Sequence, residues 1–294
     1  MKILITGISG YLGTYLAYEL GLKGGLDITG IYNNNKKEFD YINLIQCNLT
    51  ELDELTKIFN EVKPDVVYHL ASVTPTRIEK LSDQYVEFFN NKVTEHIAKL
   101  CGENDSLLIY TSTDLVYAEG ENLKEDTAKL KPVTIYAKSK LMGENSVWAY
   151  AKKYLILRSS LLYGFTRSAY TSFFDFAYNK LKSGESINSF IDQFRNPLYV
   201  EESAKILAEL PGVYKQNDTI NLCGDEYLSR HDMCLMMAEF FGFDKNLVKM
   251  ASSGEFTDYP LVKKIGLNSD KLKSFGFTTD SFEKNLHKSL KYTY

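Results

Sequence analysis

The chain has 294 residues, 44% of them hydrophobic and 24% charged, with a formal net charge of -4 and a pI near 5.7. These values describe an ordinary globular protein, exclude a disordered one, and leave no basic excess to hold a nucleic-acid backbone. No apolar run is long enough to span a bilayer, and the one opening the chain is cut short by Gly7, so a cytoplasmic protein with neither membrane nor nucleic acid as partner is expected. Cys47, Cys101, Cys223 and Cys234 are scattered without a Cys-x-x-Cys pair, and His69, His96, His231 and His287 lack ligand spacing. Reduced thiols and no metal site follow.

In chain order, periodicity predicts a strand over Lys2–Thr6, a helix over Tyr11–Lys23 and a strand over Asp27–Tyr32, which together form a βαβ unit. The alternation continues with a strand at Ile42–Gln46, a helix at Glu51–Val62, a strand at Asp65–Leu70, a helix near Asp83–Cys101 and a strand at Ser106–Thr111. A helix from about Thr134 to Lys153 then leads into a strand at Tyr154–Ser159. Nearly continuous apolar strands suit a parallel sheet covered on both faces, so the expected fold class is α/β, a doubly wound Rossmann sheet. Beyond Gly164 the rhythm changes. Helices at Glu201–Leu210, Ser229–Phe241 and Asp280–Leu290 are separated by long connections, and aromatics crowd Tyr163–Tyr178. The expected organisation is a dinucleotide-binding domain over residues 1–162 and a smaller substrate-binding lobe over 163–294, some of whose segments return to the sheet.

Gly7-Ile8-Ser9-Gly10-Tyr11-Leu12-Gly13 stands where the first strand meets the first helix. Glycines there let the backbone turn, approach a pyrophosphate and pack helix on strand, while the helix N-terminus offers free N–H groups. The second strand ends in Tyr32-Asn33-Asn34-Asn35-Lys36-Lys37, without the carboxylate that holds a ribose 2′-hydroxyl. Lys36 or Lys37, helped by an asparagine such as Asn33, suits a 2′-phosphate, so NADP(H) is preferred and NAD(H) possible; a solvated Asn/Lys loop is the plain alternative.

Tyr136 and Lys140 lie one helical turn apart near the start of their helix. The same Tyr-x-x-x-Lys spacing recurs at Tyr32/Lys36, Tyr178/Lys182 and Tyr259/Lys263, so position within the fold selects the pair. A phenol titrates near 10 unaided, and Lys140 is expected to draw Tyr136 down. After the fifth strand, Thr111-Ser112-Thr113-Asp114 places hydroxyls at the strand's carboxyl end, where Thr113 is the expected second donor to a substrate carbonyl; ordinary turn capping is the alternative. Arg167 and Arg195, two of only five arginines, are candidates for substrate phosphate, with surface ion pairing as the alternative. Tyr163, Phe165, Tyr170, Phe173 and Phe174 are core residues first and base-stacking candidates second, and His69 reads as a satisfied strand-end residue.

These residues together resemble the extended short-chain dehydrogenase/reductases. The resemblance assigns Thr113, Tyr136 and Lys140 as catalytic triad and Asn90 as the asparagine that positions Lys140. It adds Ser9, Tyr11, Leu12, Leu70, Ala71, Asn48 and Leu49 to the cofactor contacts, Asn48 standing where the family places an adenine-contacting aspartate. Ser112–Tyr117, Tyr136–Glu144 and Arg195–Val200 are similar to segments of the dTDP-4-dehydrorhamnose reductases, which reduce a 4-keto nucleotide sugar with NADPH or NADH. Asp114 is followed by Leu115, where related dehydratases carry a glutamate for proton removal, so the resemblance favours simple reduction. Two rivals stay open: a regulatory NADP-binding subunit like that of methionine adenosyltransferase, and a nucleotide-sugar epimerase. A homodimer is also implied.

Overall fold

The computed structural model describes residues 1–74, 81–169, 171–255 and 261–293. Seven strands form the central sheet: β1 (Lys2–Thr6), β2 (Asp27–Tyr32), β3 (Asn43–Gln46), β4 (Val66–His69), β5 (Leu107–Thr113), β6 (Lys153–Ser159) and β7 (Asp218–Leu222). Every pairing is parallel, and the spatial order is β7-β6-β5-β4-β1-β2-β3. The chain builds outward from β1 to β3 and then returns to β1's other side with β4. That reversal opens a crevice at the carboxyl ends of β1 and β4, the usual place for a ligand in such a sheet.

Alternate residues of each strand feed opposite layers, as the pleat requires. Ile3, Ile5, Tyr68, Ile109, Leu155, Leu157 and Ile220 pack on one face with Leu16 and Leu20 of helix α1 (Tyr11–Lys23) and with Ile206, Leu207 and Leu210. Leu4, Ile31, Val67, Leu108, Tyr110 and Ile156 pack on the other with Leu55, Phe59, Ile97 and Val147. Helices α2 (Leu52–Val62), α4 (Val93–Glu103) and α5 (Ile135–Tyr150) supply that second layer.

Three elements differ from expectation. The helix foreseen near Asp83–Cys101 is divided: α3 (Asp83–Glu87) passes through a π-helical turn at Phe88–Lys92 before α4. Strand β5 runs two residues further than its apolar run, because Ser112 and Thr113 pair with Arg158 and Ser159 of β6. Helix α5 stops at Tyr150, and Lys153 already belongs to β6.

The later part of the chain has its own core, in which Tyr163, Phe165, Phe174 and Tyr178 meet Met233, Met237, Phe282 and Leu286. Its helices are α6 (Phe173–Lys182), α7 (Val200–Val213), α8 (Arg230–Phe241), α9 (Asp270–Ser274) and α10 (Phe282–Ser289), and its strands pair in twos. Phe194–Arg195 runs antiparallel to Leu228–Ser229, and Leu162–Tyr163 runs parallel to Leu198–Tyr199. Strand β7 returns from this part to the sheet edge beside β6. Tyr11 and Tyr15 of α1 donate to the carbonyls of Gly164 and Phe165 at 2.7 and 2.6 Å, fastening the first helix to the start of this region. No helix among the described residues is long and apolar enough to cross a membrane. All four cysteines are buried and unpaired.

Candidate active site

The loop between β1 and α1 is built around positions where only glycine fits. Gly7 has φ +73, and a Cβ there would stand 2.8 Å from the backbone of Ala71, which follows β4. A Cβ on Gly13 would lie 2.2 Å from the Gly7 carbonyl oxygen. Gly10 caps α1 without any side-chain hydrogen bond, so the helix N-terminus keeps its free N–H groups. Replacing Gly13 by alanine is expected to destabilise the fold by about 1–3 kcal/mol and to weaken dinucleotide binding at least tenfold. Thermal denaturation and a fluorescence titration with NADPH measure both; wild-type values for each would mean that the loop yields freely.

At the far end of β2, Lys36 is ion-paired with Glu38 at 2.8 Å, both largely exposed. An exposed pair of this kind contributes little and is readily exchanged for a phosphate. The Asn33 carbonyl accepts from Gln46 Nε2 at 3.0 Å. Asn48 accepts from the Thr50 amide at 3.3 Å, and Leu49 is buried. Leu70 and Ala71 lie against Thr6, whose carbonyl and hydroxyl accept from their amides at 3.3 and 3.4 Å.

Beside the glycine loop, β5 delivers Thr113 and α5 delivers Tyr136 and Lys140. Thr134 caps α5 by accepting from the Ala137 amide at 3.1 Å. The Tyr136 phenol is pushed up to about 12 by burial and by the Asp114 carboxylate, while the neighbouring hydroxyls of Ser72 and Thr113 pull it down. Thr113 and Tyr136 are therefore brought together, with Ser72 as a third hydroxyl that the sequence did not single out. Lys140 does not supply the expected lowering. It is 1% exposed, burial brings it down to about 7 against the upward pull of Glu144, and its Nζ sits 4.1 Å over the Tyr110 ring. An ammonium held over an aromatic face is kept by the ring's quadrupole.

Asn90, on the π turn, is 1% exposed. Its side chain accepts from the Val73 amide at 2.9 Å and from Ser72 Oγ at 3.0 Å, and donates to the Val73 carbonyl and to Ser139 Oγ at 3.0 and 3.1 Å. It thus fixes the segment after β4 and the residue next to Lys140, rather than Lys140 itself. His69 has both ring nitrogens engaged, by Thr6 at 2.7 Å and Thr94 at 3.0 Å, and burial pushes its pKa down to about 3. It is the satisfied strand-end residue foreseen.

Behind the hydroxyls lies a buried ion pair. Arg158 Nη2 meets Glu144 Oε2 at 2.8 Å, with side chains 3% and 0% exposed. Ser112 Oγ donates to Glu144 at 2.5 Å, and Arg158 Nη1 donates to the Tyr117 hydroxyl at 2.9 Å, which in turn donates to Asn221 at 2.8 Å. Glu144 therefore touches the residue before Thr113 and lies one turn beyond Lys140.

The two arginines taken as phosphate candidates are differently employed. Arg167 stacks over the rings of Tyr15, Tyr18 and Tyr292 at 4.8–4.9 Å and donates to the Tyr292 hydroxyl, so it is held against α1. Arg195 does reach the site: its Nε is 3.3 Å from Asp114 Oδ2. Its remaining nitrogens, however, donate to the carbonyls of Phe194, Lys263 and Val262 at 2.6, 3.0 and 2.7 Å. The Arg195 guanidinium is thus taken up by protein acceptors, while that of Arg167 is held among three tyrosine rings. The residue missed is Arg230, which burial and the neighbouring Arg195 bring down to about 10. Its sequence signal is a cation on the first residue of a helix, where the macrodipole disfavours it.

Tyr163, Phe165 and Phe174 are core, and Phe173 backs Arg230 at 4.5 Å. Tyr178 is core too, with Lys182 over its own ring. Tyr170 and Tyr259 lie outside the described residues.

A switch-point crevice, a glycine cradle at an uncapped helix and a tyrosine–threonine pair beside it define an extended dehydrogenase/reductase-type Rossmann fold. The chain belongs to the RmlD substrate binding domain family, whose profile matches residues 1–294. It is 25% identical over 282 residues to methionine adenosyltransferase 2 subunit beta of Xenopus tropicalis, covering 94% of this chain and 82% of that one. Among solved structures it is similar to a hypothetical dTDP-4-dehydrorhamnose reductase of Sulfolobus tokodaii, at TM-score 0.82 and 26% identity over 95% and 96% of the two chains. The dTDP-4-dehydrorhamnose reductase of Bacillus anthracis, solved with NADP, shares the fold over the full length of both chains at TM-score 0.84 and 23% identity.

Proposed function

We propose that this protein is an NADPH-dependent reductase of a 4-keto nucleotide sugar, similar in activity to dTDP-4-dehydrorhamnose reductase. The observation that carries the reading is the convergence of the Tyr136 and Thr113 hydroxyls beside a glycine cradle shaped for a pyrophosphate. The cofactor fits the residues present: Gly7, Ser9, Gly10, Tyr11, Leu12 and Gly13 receive the pyrophosphate, Asn48 and Leu49 the adenine, and Asn33 with Lys36 a 2′-phosphate. Leu70, Ala71 and Asn90 wall the nicotinamide side. When bound, the nicotinamide supplies the hydride.

The chain's own residues do the rest. Tyr136, kept protonated by a pKa of about 12, gives its proton to the oxygen that becomes negative. Thr113 donates a hydrogen bond to the same oxygen, and Ser72 is placed to orient the phenol. Lys140 supplies positive charge next to the nicotinamide ribose. Residues 163–294 form the lobe that selects the sugar. We place the protein in the cytoplasm as a homodimer; sedimentation at the mass of two chains is the expected result, and a single-chain mass would remove the dimer.

The test is NADPH oxidation followed by absorbance with dTDP-4-dehydrorhamnose, with NADH alongside. Oxidation, faster with NADPH, is expected. Cofactor binding without oxidation of any keto nucleotide sugar, together with co-purification of a larger enzyme, would move the assignment to a regulatory subunit, while tightly retained NAD would move it to an epimerase.

A pH dependence follows from Lys140. Its folded pKa of about 7 lies below its ordinary 10.5, so between those values the folded protein holds fewer protons than the unfolded chain. This group's contribution to stability is therefore complete above 10.5 and is lost as pH falls through about 7. Cofactor affinity should run the opposite way, because the cation that attracts the cofactor disappears as pH rises through about 7. Calorimetric titration of NADPH is expected to show roughly fivefold weakening, the difference of about 1 kcal/mol between charged and neutral hydrogen bonds. Equal slopes in wild type and Lys140→Met would remove Lys140 as the cause.

A further inference from the structure

Arg230 is a half-buried cation, and among the described residues no hydrogen bond or ion pair engages its guanidinium. It opens α8 immediately after the strand Leu228–Ser229, and its amide donates to the Gln193 carbonyl at 3.1 Å. Leu228 stands opposite Arg195 in the antiparallel pairing, so Arg230, two residues on, leaves the strand toward the side of Arg195. Its guanidinium lies 4.5 Å over the Phe173 ring, its Nη1 is buried, and among the described residues its side chain donates no hydrogen bond to the protein.

A guanidinium carries five N–H donors and stays charged, so enclosing Nη1 without an acceptor leaves part of its desolvation uncompensated. Stacking on one phenylalanine returns only a small part of it. The surrounding charges leave the debt open. Arg195 repels Arg230, Asp114 attracts it weakly, and the buried Cys234 thiol is neutral. Asp114 is already shared, with Oδ1 accepting from Thr113 Oγ1 at 3.2 Å and Oδ2 beside Arg195. Two cations thus face one carboxylate next to Thr113, and the surplus charge falls on Arg230. The helix end does not need this residue, since Ser229 and Asp232 already form a complete capping box.

We propose that Arg230 is an oxyanion receptor: its guanidinium, backed by Phe173, takes a phosphate or carboxylate group carried by the substrate beside Thr113. This deepens the nucleotide-sugar reading and rests on it. The anion has two sources, the diphosphate bridge of the nucleotide or a carboxylate on the sugar ring.

The experiment uses the full chain saturated with NADP+ and follows calorimetric binding of dTDP, inorganic pyrophosphate and glucuronate to wild type, Arg230→Lys and Arg230→Met. Affinity for one class of anion is expected to fall about tenfold or more in Arg230→Met, as loss of a charged hydrogen bond requires, with partial recovery in Arg230→Lys. Dependence for dTDP and pyrophosphate identifies the phosphate source, and dependence for glucuronate alone identifies the carboxylate. Without ligand, Arg230→Met should melt no lower than wild type, because it removes a cation that no acceptor among the described residues pairs. Unchanged affinity for all three anions overturns the proposal, as does a lower melting point in Arg230→Met that Arg230→Lys restores without any change in anion binding. Should Arg230→Met fail to fold, wild-type anion affinity in Arg230→Lys would count against the proposal and a reduced one for it. Anion binding that depends on Arg230 in a protein that reduces no keto sugar leaves the receptor standing and removes only the reductase reading.

Discussion

Tyr136→Phe is expected to lower turnover by about 10²–10⁴-fold, the usual worth of a positioned acid, while NADPH binds with nearly wild-type affinity. Phenylalanine keeps the ring that packs against Val73 and Val86 and removes only the hydroxyl. Single-turnover measurement of NADPH oxidation separates this from a binding defect. Turnover within a few-fold of wild type would take the proton donor away from Tyr136. The effect should be felt mainly in kcat, because the donated proton matters only once charge develops on the substrate oxygen.

Removing the carboxylate of Glu144 should have the largest effect on stability. Glu144→Gln leaves Arg158 charged in a site where the two side chains are 0% and 3% exposed. Loss of one partner from a buried pair costs about 3–5 kcal/mol, which for a chain of this size lowers Tm by on the order of 10 °C. A double replacement, Glu144→Leu with Arg158→Met, should recover much of the loss, because no lone ion then remains buried. Differential scanning calorimetry on Glu144→Leu, Arg158→Met and the double distinguishes the cases; a double variant as unstable as the sum of these two singles would mean that the pair is not coupled. Glu144→Gln should also weaken NADPH binding at neutral pH, since its carboxylate is what holds Lys140 up against burial.

Much of the sheet was legible because its strands are buried on both faces, so Lys2–Thr6 and Val66–His69 are short apolar runs set between helices. Tyr136 and Thr113 could be selected because each sits at an element end fixed by that alternation. The roles of Arg167 and Arg195 could not be read, because their partners, Tyr292 and Val262, lie 125 and 67 positions further along the chain. The same holds for the Lys140 environment: nothing local in the sequence places the Tyr110 ring beneath its ammonium. Arg230 escaped notice because its distinguishing property is a missing acceptor, which only packing reveals.

The π-helical turn at Phe88–Lys92 gives the molecule a rotational adjustment. A π turn behaves as one residue inserted into an α-helix, and one residue corresponds to about 100° of rotation about the axis. Residues before and after it therefore answer to different neighbours: Val86 packs under Val73, while Val93 and Ile97 belong to the layer beneath the sheet. Deleting a single residue there would let the helix run straight but would swing one half away from its packing partner. The phase offset is what allows one rod to serve both as a beam of the core and as the mount for Asn90.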